Sequence, residues 1–273
     1  MRAVGWNMTD DLLANRSTDE ALVSVVMPLY ECEDYVAQAV ESVLAQTYGN
    51  FELIVVDDCS TDRSAEVVEG IASRDVRVRL MRHEVNRGAG PSREAGLAHA
   101  SGSYVAFFDA DDTWFPEKLE RQLAFMRERG AAMCFCSYET TRSNGSHYNY
   151  VHVPETLDYR GFLKNTVTCS HTIMFDLFQV DKAWLRYPGD RGFDYSEDAA
   201  VWLNVLKRGV VAHGLDEVLA QNRKHAGSRS SSKLQAFKRA HNLYRHIEGL
   251  SIAQTCWCHF WQIVHAIAKR IPN

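Results

Sequence analysis

Phe51-Glu52-Leu53-Ile54-Val55-Val56-Asp57-Asp58-Cys59-Ser60-Thr61-Asp62 is the stretch that decides how this 273-residue chain is read. A short apolar run gives way at once to carboxylates and hydroxyls. Such a run, bounded by turn residues, reads as a strand buried on both faces. The polar cluster behind it suits the cap of a helix, expected over about 63–72. Ser60 and Asp62 are read as capping groups; Asp57 and Asp58 are left at the strand's carboxyl end.

The same alternation recurs on both sides. Leu22-Val23-Ser24-Val25-Val26-Met27 is an apolar run closed by Pro28. Tyr35/Val36, Ala39/Val40 and Val43/Leu44 then follow at helical spacing, with Asp34 near their start. Val76, Val78 and Leu80 alternate as a third strand. Gly88-Ala89-Gly90-Pro91 opens a helix running to Ala100, with the proline in a tolerated first-turn position. Residues 103–108 form a fourth strand, ended by Asp109-Ala110-Asp111-Asp112. Pro116 opens a helix through Arg129, with Leu119, Leu123 and Met126 on one face, and 131–136 is a fifth strand. This order predicts an α/β fold, a mainly parallel sheet flanked by helices with right-handed crossovers. In such sheets ligands bind beyond the carboxyl ends of the strands. Pro28-Leu29-Tyr30-Glu31, Asp57-Asp58 and Asp109-Ala110-Asp111 should therefore share one edge.

The signal weakens over 139–195, where Ser143-Asn144-Gly145-Ser146 reads as a turn and 171–175 as a strand. Val201, Trp202, Val205 and Leu206 make a helical face ended by Gly209. Two short strands near 210–213 and 216–220 and a basic polar loop over 222–232 follow. Residues 249–268 hold no Asp, Glu, Lys or Arg, include Trp257, Phe260 and Trp261, and stop at Lys269-Arg270. Gln254, His259, Gln262 and His265 make this segment too polar to read as a membrane span. A docked helix, an interfacial membrane helix and a partner surface are the three readings left open.

Composition narrows the function classes. With 46% hydrophobic and 24% charged residues the chain is ordinary globular protein, which excludes disordered and collagenous classes. A net charge of −5 argues against a nucleic-acid coat protein. Residues 1–20 are polar and lack an apolar h-region, so no secretory signal is expected. Seven cysteines at irregular spacing then read as reduced packing thiols rather than a disulfide framework. Cys134/Cys136 and Cys256/Cys258 have the wrong spacing for zinc.

The strand ends carry the chemistry. Of two carboxylates at Asp109 and Asp111, one can accept hydrogen bonds from sugar hydroxyls and the other can bind a hard divalent cation. Alone, such a pair is equally a solvated turn. Asp58 can accept from the imide N–H of a pyrimidine, and Tyr30 offers an aromatic face to a base. Asn86-Arg87-Gly88-Ala89-Gly90 can bring backbone N–H groups and a cation to phosphate. It lacks the Gly-Lys-Ser/Thr ending of a P-loop.

Taken together, 23–30, Ser42-Val43-Leu44-Ala45-Gln46-Thr47-Tyr48, 51–62, Asn86-Arg87-Gly88 and Phe107-Phe108-Asp109-Ala110-Asp111-Asp112 resemble the family 2 glycosyltransferases of the GT-A fold. The likeness covers about residues 22–230. Within the family it is most similar to bacterial enzymes of cell-surface polysaccharide assembly, including teichuronic-acid-type transferases.

The resemblance implies an inverting transfer from a nucleoside diphosphate sugar, UDP- or dTDP-linked, to an acceptor hydroxyl, with Mn²⁺ or Mg²⁺ as cofactor. Pro28, Tyr30 and Glu31 would surround base and ribose, and Asp58, with Asp57 beside it, would take the base imide. Arg87 would lie near base or phosphates, Asp109 and Ala110 at the ribose, and Asp111 at the metal. In Ser196-Glu197-Asp198-Ala199-Ala200, Asp198 would be the general base, with Glu197 as the fallback; the plain reading of that pair is favourable charge at a helix N-terminus. Arg223, Lys224, His225 and Arg229 resemble a region that closes over the donor, with His225 a metal or phosphate ligand, although a solvated loop explains them equally. Processive relatives carry Gln-x-x-Arg-Trp and several membrane spans. Gln221-Asn222-Arg223-Lys224 lacks that arrangement, so single-sugar addition is expected.

The expected organisation is a polar lead (1–21), a catalytic domain (22–232) with a donor half (22–138) and an acceptor half (139–232), and a helical extension (233–273) for which membrane association is one of the three readings above. The acceptor would be a glycan or lipid-linked glycan, met in the cytoplasm at the inner face of the plasma membrane. Two alternatives stand beside this reading. One is a nucleotide-sugar-binding subunit or sensor without catalysis. The other is a sugar nucleotidyltransferase, which needs a basic glycine-rich stretch after the first strand, where Leu29-Tyr30-Glu31-Cys32 stands.

Overall fold

The computed structural model describes residues 21–142, 144–165, 169–225 and 232–268. Its first half alternates as the apolar runs dictate: β1 (Val23–Leu29), α1 (Val36–Leu44), β2 (Phe51–Asp57), α2 (Ser64–Ala72), β3 (Val78–Arg82), α3 (Ala89–His99), β4 (Tyr104–Phe107), β5 (Thr113–Trp114), α4 (Lys118–Arg129) and β6 (Met133–Arg142). The second half adds β7 (His147–Val151), β8 (Thr156–Leu157), α5 (Tyr159–Lys164), a 3-10 turn (Ser170–Thr172), β9 (Ile173–Asp176), α6 (Glu197–Leu206) and β10 (Ala212–Lys224). It closes with α7 (Lys233–Asn242), a π-helical turn (Leu243–Ile247) and α8 (Ile252–Ala268).

Among the described residues ten strands form one sheet, in the order β3-β2-β1-β4-β9-β6-β10-β5, with β7 on β6 and β8 on β10. β3, β2, β1 and β4 run parallel, as do β6 and β10. β9 is antiparallel to both β4 and β6. Val25, Val26, Met27, Ile54, Val55 and Phe107 are fully buried, as strands covered on both faces must be.

This topology sets the functional edge. Leu29 pairs with Asp57, and the Phe108 N–H donates to the Val26 carbonyl at 3.0 Å, so the ends of β1, β2 and β4 lie side by side. Because β9 runs against β4, its beginning, not its end, reaches that edge, which brings the Ser170–Thr172 turn beside Asp109. β6 and β10 run the same way as β4, so β10 delivers Arg223, Lys224 and His225 to the same side.

Several local readings change. Residues 212–224 form one long strand rather than two short ones, with register shifts between Leu215 and Val218 and between Val218 and Ala220; these irregularities interrupt the period-two pattern. The basic stretch from Asn222 to Lys224 is the end of that strand, while 226–231 lie outside the described residues. The strand read at 171–175 starts at Ile173, behind the 3-10 turn. The third strand starts at Val78, and Val76 is 95% exposed. The 143–146 turn joins β6 to β7, with Gly145 N–H donating to the Arg142 carbonyl at 2.8 Å; Ser143 itself is outside the described residues.

Helix α3 packs unusually close to the sheet. A Cβ at Gly96 would lie 2.5 Å from Val26 Cγ1 and 3.3 Å from Val56 Cγ2. That approach sets how far Arg93, one turn earlier, reaches toward the edge. Gly96→Ala should therefore lower stability by about 1–3 kcal/mol through overpacking, despite a gain in helix propensity, and lower the melting temperature by several degrees. Thermal denaturation of the variant checks this; an unchanged or raised melting temperature contradicts it.

Candidate active site

The loop after β2 is held by its own acids. Asp57 is fully buried; one oxygen accepts from Ser60 N–H at 3.2 Å and the other from Arg82 Nε at 3.1 Å. Its carboxylate thus faces protein groups. Asp58 is 2% exposed and accepts from the backbone N–H groups of Arg87 (2.9 Å) and Gly88 (2.6 Å), with His83 Nδ1 at 3.0 Å. It anchors the 83–88 segment at the start of α3. A carboxylate has about four acceptor positions, so Asp58 keeps capacity for one more donor. The Arg87 side chain is exposed at this rim.

Beyond β1, Pro28 is half-buried, and Tyr30 and Glu31 are exposed. Glu31 N–H donates to Ser60 Oγ at 3.1 Å, and Thr61 Oγ1 donates to the Glu31 carboxylate at 3.0 Å. Glu31 (φ +46°) and Cys59 (φ +65°) have left-handed backbone without being glycine. This sparsely populated conformation is locally strained, and it occurs in both loops that meet here. Asp62 accepts from Ser64 N–H at 3.0 Å and Glu33 N–H at 3.1 Å, so it serves the turn into α2.

The end of β4 carries the densest charge. Asp109 and Asp198 are joined by Arg93, which is 5% exposed. One guanidinium nitrogen donates to Asp198 Oδ1 at 2.6 Å and another to Asp109. Burial alone would make this arginine easier to deprotonate; the carboxylates of Asp198 and Asp109 overturn that and hold it protonated. Asp198 also accepts from Ser170 Oγ and, at 3.4 Å, from Tyr187 OH, yet its side chain remains 36% exposed. Glu197 precedes it on α6, its carboxyl carbon 3.3 Å from where a Cβ of Gly90 would stand.

Ala110 is buried, and it separates Asp109 from Asp111. Asp111 Oδ2 lies 2.9 Å from His225 Nε2. Burial and the neighbouring Asp112 raise the Asp111 carboxyl above its ordinary range, with His225 working against them. Asp109 is likewise raised, by burial and by Asp198 and Asp111, against Arg93. Cys32, in the loop after β1, is pushed up to about 12 by burial and then by Asp111, Asp62 and Asp109. The β1 loop and the β4 acids therefore line the same cleft.

Asp112 and His171 complete the floor. Asp112 accepts from Arg223 N–H at 2.8 Å, pinning the end of β10, and lies 2.8 Å from His171 Nδ1. Ligand atoms of Asp109, Asp112 and His171 lie within 4.8 Å of one another. The His225 ring lies tilted against Tyr35, with centroids 4.8 Å apart, and the Arg223 guanidinium lies 5.0 Å from the Tyr35 ring centre and donates to Gln38 at 2.6 Å. Lys224 stands over Tyr148 at 4.1 Å, and Arg229 is outside the described residues. A surplus of carboxylates with imidazole beside it is a donor set suited to Mn²⁺ or Mg²⁺. The raised Asp111 carboxyl fits such a cation, which would relieve the crowding. A groove of about 510 Å³ lined by Asp158, Tyr159, Leu206 and Lys207 shares none of these residues.

Sequence reading missed Arg93, Ser170 and His171. Arg93 was legible in principle: it shares the α3 face of Gly90, Gly96 and Leu97, where a charge needs a partner. Ser170 and His171 lie in a segment with no periodic signal, and only the antiparallel insertion of β9 brings them here.

The family model for "Glycosyl transferase family 2" matches residues 24–184. A protein of Bacillus subtilis (strain 168) named for teichuronic acid biosynthesis, the glycosyltransferase TuaG, is 39% identical over 92% of this chain and 98% of its own. The UDP-Glc:alpha-D-GlcNAc-diphosphoundecaprenol beta-1,3-glucosyltransferase WfaP of Escherichia coli is 30% identical over 91% of this chain and 95% of its own. Among solved structures, Staphylococcus aureus TarS 1-349 with UDP-GlcNAc aligns with a TM-score of 0.64 at 22% identity, over 86% of this chain and 70% of that one. The mannosyltransferase PcManGT of Pyrobaculum calidifontis, with GDP-Man and Mn²⁺, aligns at 0.67 and 16% identity, over 91% and 74%. Matched along most of its sheet and across nearly the whole length of TuaG and WfaP, the chain belongs to the family 2 glycosyltransferases and has their GT-A fold.

Proposed function

We propose that this glycosyltransferase moves one sugar from a UDP- or dTDP-sugar to a hydroxyl of a lipid-linked glycan, with inversion at the anomeric carbon, in bacterial surface polysaccharide synthesis. The observation that carries the reading is the Asp109–Arg93–Asp198 bridge. It ties a carboxylate at the donor-binding strand end to a partly exposed carboxylate on α6. The names of the relatives support the acceptor class: WfaP is named for a diphosphoundecaprenol-linked acceptor and TuaG for teichuronic acid.

In this reading Asp58 accepts from the base imide, with Asp57 holding its loop. Pro28, Tyr30, Glu31 and Arg87 border the base and phosphates. Asp109, with Ala110 behind it, takes the ribose hydroxyls. Asp111 and His225 would hold the divalent cation, which when bound neutralises charge on the departing diphosphate. Asp198 accepts the proton of the acceptor hydroxyl as that oxygen attacks the anomeric carbon, opposite the breaking bond to the diphosphate. Glu197 stands beside it as the second candidate base. Arg93 and Ser170 are positioning residues that fix the orientation of the Asp198 carboxylate. The catalytic unit spans 22–232, its donor half being 22–138 and its acceptor half 139–232; 1–21 and 233–273 are appended to it. Among the described residues no helix is long and apolar enough to cross a membrane. The enzyme works in the cytoplasm, at the inner face of the plasma membrane where a lipid-linked acceptor is presented, and adds a single sugar per encounter.

Two substitutions test the assignments. Asp198→Asn should reduce transfer by about 10²–10⁴-fold while UDP affinity, measured by calorimetry with Mn²⁺, stays within about threefold of wild type. Transfer at the wild-type rate would remove Asp198 from the base role. Asp111→Asn should abolish the Mn²⁺-dependent part of UDP binding. Because the fold already disfavours a charge at that position, the same change should not lower the melting temperature of the metal-free protein. Undiminished Mn²⁺-dependent binding contradicts the metal assignment.

A further inference from the structure

Helix α8 is amphipathic the wrong way round for a helix in water. Its protein-facing positions include Thr255, 2% exposed, and His259, 7% exposed, and Gln262 donates to the Tyr244 hydroxyl. Its exposed large apolar side chains are Ile252 (70%), Trp257 (57%), Phe260 (54%), Ile263 (53%), Val264 (36%) and Ile267 (59%), beside the smaller exposed Ala253, Gln254 and Cys256. At about 100° per residue the six large ones fall within an arc of about 140°. A surface helix ordinarily turns its polar residues outward, and a contiguous apolar face of this kind marks an interaction surface.

The charge around it selects the occupant. Residues 233–273 carry six Lys or Arg and one acid, Glu248, a net +5, whereas the preceding 232 residues carry a net −10. Lys269 and Arg270 follow directly on the apolar face in sequence. Lys233 and Lys238 are exposed on α7, whose Phe237 stacks on His259 at 4.2 Å. A second copy of this chain would bring its own basic segment against this one if the two helices paired face to face. An anionic surface that also accepts aromatic side chains satisfies both features. Aromatic residues beside lysine and arginine suit the headgroup boundary of a bilayer.

We propose that α8 lies in the interface of an anionic membrane, with its Trp257–Phe260–Ile263 face in the lipid and the exposed lysines of α7, Lys233 and Lys238, toward the headgroups. This rests on the surface alone and not on the assigned chemistry, so vesicles without acceptor or donor are a sufficient probe. In flotation assays the full chain should partition onto phosphatidylcholine vesicles containing about a third phosphatidylglycerol. It should do so much less on phosphatidylcholine alone, or at high salt. Trp257→Glu combined with Phe260→Glu should weaken binding at least about tenfold. These positions are exposed, so UDP binding by the variant should be retained and reports an intact fold. The proposal is overturned if the wild-type chain does not float with the anionic vesicles, or if the double variant floats as well as wild type. A wild-type dimer in light scattering that the double substitution splits, without vesicle binding, would make the occupant a second copy and overturn it too.

Discussion

Arg93 stands between Asp109, at the end of β4, and Asp198, in the first turn of α6, and both halves of the chain meet at its guanidinium. A buried arginine is tolerated only when paired. Here water reaches both carboxylates, with side-chain exposures of 28% and 36%, so each arm contributes less than the roughly 3–5 kcal/mol of a fully buried pair. The value of the bridge is therefore chiefly positional. It fixes one oxygen of Asp198 and leaves the carboxylate open to the cleft. Gly96 is part of the same device, because any larger side chain would lift α3 from β1 and β2 and carry Arg93 with it.

Around that bridge the fold concentrates negative charge at one edge. Asp109 and Asp111 are both driven toward their neutral forms by burial and by neighbouring carboxylates, Asp198 and Asp111 in the first case and Asp112 in the second. Such crowding is unfavourable by itself and becomes favourable when a cation enters. The scaffold that keeps the acids in place is built from ordinary core polar bonding. Gln122 Nε2 donates to the Thr172 carbonyl at 2.9 Å, its Oε1 accepts from the buried Lys118 at 2.6 Å, and Trp114 Nε1 donates to the His171 carbonyl at 2.8 Å. Burial holds the Lys118 amine down at about 8. The Ser170–Thr172 turn, which touches Asp198 through Ser170 and lies against Asp112 through His171, is thus braced from α4 and β5.

The first half of the fold was legible because its strands are buried on both faces and their apolar runs stop abruptly at carboxylates. β1, β2 and β4, and the acids behind them, follow from that pattern. The second half was not, for two physical reasons. The irregular register of β10 conceals a strand in what looks like two fragments and a loop. The insertion of β9 between β4 and β6 depends on pairing between residues 38 to 72 positions apart, from Phe135 with Ile173 to Tyr104 with Asp176, which no local periodicity records. The partners of Arg93 leave no local signal, because Asp109 and Asp198 lie 16 and 105 positions away in sequence.

The proposed chemistry requires carboxylates from separate strands to hold one cation-bound nucleotide. Diffraction at the manganese absorption edge, from crystals grown with UDP and Mn²⁺, measures this directly. The expected anomalous peak lies against the Asp111 carboxylate and the diphosphate, with the uracil ring at Asp58 and the ribose at Asp109. A peak at another surface, or UDP bound in full without metal and away from these three residues, would contradict it.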